Sequence, residues 1–143
     1  MTDSNAPMSQ FALRAKWQAL SDVMIEHGPG WFGVLDKMLR NMERADFVPS
    51  LDKITQIKEK FGTIRVYVSF DPTIEGGVDR MERIYKSMRE ADNSARTCET
   101  CGQPSHLMVT NGWIVSRCLE HKPKDAKTLR EHFKPEERYF CED

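Results

Sequence analysis

Between Ser9 and Glu26 the apolar residues Leu13, Trp17, Leu20 and Met24 recur at steps of three and four, the stripe of an amphipathic helix. His27-Gly28-Pro29-Gly30 ends it. Trp31, Leu35, Met38 and Met42, with Val34 and Leu39 beside them, predict a second helix from near Pro29 to about Arg44, Pro being suited to a first helical turn. So tight a Gly-Pro-Gly joint implies that the two helices pack on each other. Beyond Pro49 the period becomes two: Ile64, Val66, Val68 and Phe70 alternate with Arg65, Tyr67 and Ser69, the pattern of a half-buried strand. Lys53 to Lys60 reads as a weaker strand, and Lys60-Phe61-Gly62-Thr63 joins the two as an antiparallel hairpin, with Gly62 supplying the unusual backbone angle. Gly76-Gly77 then precedes Val78, Met81, Ile84, Tyr85, Met88 and Ala91, a third helical stripe to about Asn93.

At Thr97 the pattern shifts again. Leu107–Thr110 and Trp113–Ser116 flank Asn111-Gly112, a strong hairpin signal, and a short helical stretch around Leu129 and Phe133 precedes Pro135. The expected fold is therefore α+β. Residues 1–95 form a core of two helices, a β-hairpin and a helix; 96–123 form a compact module; 124–143 form a tail with a short helix.

Composition narrows this picture. A chain of 143 residues, 39% hydrophobic and 30% charged, suits one soluble globular domain with a small appended module. No apolar run approaches a bilayer span, so no membrane partner is expected. Met1 to Met8 is polar and lacks the apolar stretch of a signal peptide, from which a cytoplasmic location is expected. In that reducing compartment the four cysteines favour a metal over disulfides. Lys and Arg total 21 against 22 Asp and Glu, a net charge of -1, without the positive field of a protein that coats nucleic acid. Only residues 53–69 are locally basic, with Lys53, Lys58, Lys60 and Arg65 against Glu59.

The chemistry lies in the C-terminal third. Cys98-x2-Cys101 is followed after sixteen residues by Cys118-x2-His121, two close pairs of the kind that surround one zinc ion. Gly102 fits the sharp turn of a zinc knuckle, and the hairpin at Asn111-Gly112 brings the pairs together. Both a zinc ribbon and a treble clef suit this order; a treble clef needs a helix at the second pair, where Pro123 intervenes. Four protein ligands make the zinc structural, with no position for a catalytic water. Cys141, His27, His106 and His132 are left over, and any of them is an alternative to His121 as fourth ligand, His106 first because it lies inside the loop. No His-x-Glu precedes the cysteines as a zinc deaminase requires. There is no His-Glu-x-x-His, Walker loop or Gly-x-Ser-x-Gly, and the chain is read as lacking a dinucleotide-binding fingerprint. A treble-clef nuclease using His106, Glu120 or His132 around a second ion is the weakest alternative. No catalytic residue is assigned.

His27-Gly28-Pro29-Gly30-Trp31, the stretch Gln56 to Val68, Ser94, Cys98-Glu99-Thr100-Cys101-Gly102, Trp113 and Cys118-x2-His121 together resemble a group of small proteins of phages and bacteria, over residues 20–121. The resemblance implies this architecture and a zinc site on Cys98, Cys101, Cys118 and His121, but no activity; the long tail departs from it. A second candidate site is the basic hairpin, where Lys58, Lys60 and Arg65 suit phosphate or an acidic partner surface and Tyr67 is placed to stack. A solvated sheet face is the plainer reading of the same residues, and Trp31 and Trp113 are expected to pack inward. The expected function is non-enzymatic: a zinc protein that binds another protein, an accessory or inhibitor factor of phage or mobile-element origin acting on host machinery in the host cytoplasm. The alternative is a nucleic-acid-binding zinc module.

Overall fold

The computed structural model describes residues 8–71, 73–74 and 76–132. Helices and two small three-stranded sheets make up a mixed α and β architecture. Ser9 caps α1 (Gln10–Lys16) by accepting the Ala12 N–H at 3.0 Å. The helix predicted to reach Glu26 stops there. Trp17 turns extended and sends its indole N–H to Asp36 at 2.8 Å, so a tertiary hydrogen bond overrides the local stripe. A single 3-10 turn, Gln18–Leu20, follows, and Met24, expected inward, is 71% exposed. Next comes an unpredicted strand, β1 (Ile25–Glu26), too short for periodicity to reveal.

Pro29–Trp31 forms a 3-10 turn leading into α2 (Phe32–Arg44), as the apolar stripe requires. β2 (Lys53–Lys60) and β3 (Thr63–Ser69) are the expected antiparallel hairpin, but β1 pairs parallel with β2, giving the order β1-β2-β3. α3 (Gly77–Ser87) continues as a 3-10 stretch, Met88–Arg96, where a longer α-helix was expected. β4 (His106–Thr110) and β5 (Trp113–Arg117) flank Asn111-Gly112 as predicted. β6 (Lys127–Thr128) pairs with β4, and α4 (Leu129–His132) follows. Phe133, Cys141 and the rest of the tail lie outside the described residues.

The first sheet presents Ile54, Ile57, Ile64 and Val66 to a core shared with Leu13, Leu20, Trp31, Leu35, Met38, Met42 and Ile84. Each fully buried side chain of this size contributes about 1.5–3 kcal/mol. Two buried ionic groups are fully partnered. Asp36 accepts from Trp17, Lys16 at 2.9 Å and Arg40 at 3.1 Å. Arg80 binds Asp52 through both terminal nitrogens and donates to the Asp46 carbonyl at 3.0 Å, fixing α3 to the loop before β2. No helix among the described residues is long and apolar enough to cross a membrane.

Candidate metal centre

The loop from Cys98 to Gly102 is shaped by its own backbone. The Gly102 N–H donates to the Cys98 carbonyl and the Cys98 N–H to the Gln103 carbonyl, both at 2.8 Å, and Gly102 takes a left-handed φ of 84° that closes the turn. The second pair closes likewise, with the His121 N–H on the Cys118 carbonyl at 3.1 Å. β4 and β5 carry the two pairs to the same place. Ser116, buried on β5, donates to the carbonyls of Thr97 at 2.9 Å and Ala95 at 3.2 Å and bonds Ser105 at 2.8 Å. The Glu99 N–H also meets the Ser116 carbonyl at 3.0 Å.

Cys98, Cys101, Cys118 and His121 offer ligand atoms that all lie within 4.8 Å of one another. Cys101 Sγ is 3.7 Å from Cys118 Sγ, far beyond a disulfide bond, and His121 Nδ1 is 3.2 Å from Cys118 Sγ and 3.9 Å from Cys98 Sγ. Cys98 is buried and the other three are half-buried. Burial pushes the Cys98 thiol up, but the backbone N–H groups of Cys118, Cys101 and Thr100 outweigh it and bring it to about 6. The Cys101 thiol goes to about 11, first through burial and then through the neighbouring sulfurs of Cys118 and Cys98. Thiolates this close repel one another, and a cation between them removes the penalty.

His106, the alternative ligand, is exposed at the start of β4 and outside the cluster. His106, Glu120 and His132 form no second group arranged to hold a metal among the described residues. Residues 118–126 form turns, with no helix at the second pair. Trp31 is fully buried as expected, whereas Trp113, expected inward, is 71% exposed because it sits at the hairpin tip.

The centre is seated on the core by residues whose role spacing does not reveal. Glu99 reaches back: its carbonyl accepts the Gly30 N–H at 2.7 Å, and its carboxylate takes the Gly28 N–H and Arg117, each at 2.9 Å. Trp31 donates its indole N–H to the Thr97 carbonyl at 2.8 Å. A Cβ on Gly28 would strike the Glu99 carbonyl, and one on Gly30 the backbone of Cys98, Glu99 and Gly102. Gly28-x-Gly30-x-x-Gly33 does spell the dinucleotide fingerprint, between a short strand and a helix, correcting the expectation that it is lacking. The close approach that its first two glycines permit is taken by the chain's own loop, and the Gly28 N–H is engaged by the Glu99 carboxylate.

The candidate hairpin residues share one side of the sheet. Lys58 stands opposite Arg65, Lys60 opposite Thr63 and Tyr67 opposite Gln56, all turned away from Ile57, Ile64 and Val66. The Lys58 ammonium lies 5.9 Å from the centre of the Tyr67 ring. No family model, curated protein or solved structure matches the chain.

Proposed function

We propose that the chain is a non-enzymatic zinc protein, in which one structural zinc on Cys98, Cys101, Cys118 and His121 folds a ribbon-like module that serves in binding another protein. The carrying observation is the spacing of the four ligand atoms. Thiolates held at about 2.3 Å from a tetrahedral zinc lie about 3.8 Å apart, and the Cys101–Cys118 sulfurs are at 3.7 Å. Three sulfurs and one imidazole nitrogen suit zinc over harder cations. Bound there, zinc supplies cross-linking and charge neutralisation. Four protein ligands complete its shell and leave no coordination position for substrate. Three strands with turns in place of a helix at the second pair favour a ribbon over a treble clef.

The near-neutral charge favours a protein partner over nucleic acid, since phosphate binding draws on concentrated positive charge. Native mass spectrometry should find one zinc per chain, lost in Cys98→Ser; a chain that folds fully and holds no metal overturns the zinc assignment. Cross-linking in extract of the source cell, with Cys98→Ser as control, should capture a defined protein through the intact chain alone. Capture by neither chain overturns the binding role.

A further inference from the structure

The two hairpins of this protein turn with the same backbone and different residues. At β4–β5 the tip is Asn111-Gly112, with φ of 49° and 82°, the pair best suited to two successive left-handed positions. At β2–β3 the tip is Phe61-Gly62, with φ of 54° and 79°. Gly62 is favoured by its φ, and a Cβ there would displace the end of the Leu107 side chain of β4. Phe61 is another matter. A bulky residue at positive φ is a backbone outlier, and burial offsets little of it, since the residue is 58% exposed. Strain kept where it brings the fold little packing marks a position held for contact with something else.

A second, independent conflict lies on the adjoining face. Lys58 and Arg65 are directly opposed across the ladder, a like-charge pair that weakens the sheet. Neither forms an ion pair among the described residues, although Glu26 of β1 is the register neighbour of Lys58. The acid within the hairpin, Glu59, is engaged at the turn, where it accepts the Gly62 N–H at 2.9 Å. Lys60 stands at the tip with its ammonium 5.5 Å from the Phe61 ring centre. An exposed apolar tip is thus bordered by three cations, Lys58, Lys60 and Arg65.

We infer that the tip and outer face of the β2–β3 hairpin form a docking surface for an acidic peptide segment of a partner protein, with carboxylates at Lys58 and Arg65 and an apolar side chain against Phe61. This rests on the protein-binding reading above and gives it a location. Charge complementarity selects an acidic segment. A peptide fits better than a nucleic-acid strand because the chain carries a net charge of -1 and its positive charge here is confined to one short stretch. Three cations also span few phosphates.

The test uses the full zinc-loaded chain and three fluorescent probes: a peptide alternating glutamate with leucine, polyglutamate, and oligothymidylate. Fluorescence anisotropy should show the alternating peptide binding most tightly. The Lys58→Glu/Arg65→Glu double variant should weaken it by about tenfold or more. Phe61→Asn should weaken the alternating peptide but not polyglutamate, while raising the thermal midpoint because Asn suits the turn, a combination that a merely structural Phe61 does not give. An unchanged far-UV spectrum together with unchanged zinc content in every variant shows that the fold is kept. Equal binding by the charge-reversed variant overturns the inference, as does oligothymidylate binding more tightly than either peptide. If the cross-linked partner is still captured by the charge-reversed variant, this surface is wrong and the protein-binding reading stands; if no chain captures a partner, that reading itself fails.

Discussion

The core and the region that carries the Cys98, Cys101, Cys118 and His121 cluster are neighbours that differ in how much apolar surface they bury. Seventeen buried apolar side chains, from Leu13 to Ile84, form one continuous cluster in the core. Past Arg96, the buried apolar residues among those described are Cys98, Met108, Val109 and Ala126. So small a set cannot offset the conformational entropy of ordering some thirty residues, at about 1–2 kcal/mol each for the backbone alone. On the zinc reading proposed above, the module draws on a metal held by its four convergent side chains and on the polar seat formed by Gly28, Gly30 and Trp31. A region with many apolar residues folds by burial; one with few borrows rigidity from cross-links and from its neighbour.

Removing the metal is the most direct way to break this comparison. Chelation, or Cys118→Ser, should withdraw on the order of 10 kcal/mol of binding free energy. Hydrogen exchange should then show β4 and β5 amides losing protection while α2 amides keep theirs; simultaneous loss in both would mean that the core also depends on the ion. Next in size, Asp52→Ala strands the buried Arg80 guanidinium and should cost about 3–5 kcal/mol by denaturant unfolding. Because that pair belongs to the core, the zinc-loaded module should not rescue it. Gly30→Ala tests the seat: forcing the Cys98–Gly102 loop off the core should cost about 1–3 kcal/mol and weaken zinc affinity at the same time, measured by competition with a chromophoric chelator. A variant that loses stability without losing affinity would show the two regions to be uncoupled.

Trp31→Phe deletes the bond to Thr97 and leaves a small cavity where the larger indole packed, at about 1–2 kcal/mol by denaturant unfolding. Ser116 still donates to that carbonyl, which limits the loss. The smallest effect appears only in acid. Burial pushes the Asp36 carboxyl up, but hydrogen bonds from Lys16 and Trp17 and the charges of Lys16 and Arg40 hold it below the ordinary 3.8. Its stabilisation is therefore complete above 3.8 and lost as pH falls through the lower folded value. Far-UV titration of Asp36→Asn should show a flatter acid limb, and an unchanged slope would remove Asp36 from the account.

Much of the fold is visible in the residue pattern because α2 and β3 have clear apolar periods, β2 is joined to β3 through the turn at Gly62, and β4 and β5 flank the turn signal Asn111-Gly112. The ligand set is equally local: two pairs at short spacing, with Gly102 and a hairpin between them. Where the structure departs from the local pattern of α1 and β1, a distant partner intervenes. Asp36 draws the Trp17 indole away from the first helix, and β2 supplies the partner that makes Ile25–Glu26 a strand. Trp113 was assigned inward by residue type, yet its place at a turn leaves it in water.

The fingerprint at Gly28, Gly30 and Gly33 shows the same division. The sequence by itself permits a close backbone approach at Gly28 and Gly30, since glycine lacks the Cβ that prevents it, whereas the position beside Gly33 stays open. Which backbone approaches was decided by tertiary structure alone. The partner, Glu99, lies 71 residues from Gly28, and periods and spacings report contacts within an element or across one turn. Contacts made across the fold depend on how whole elements pack, and only the folded chain brings those surfaces together.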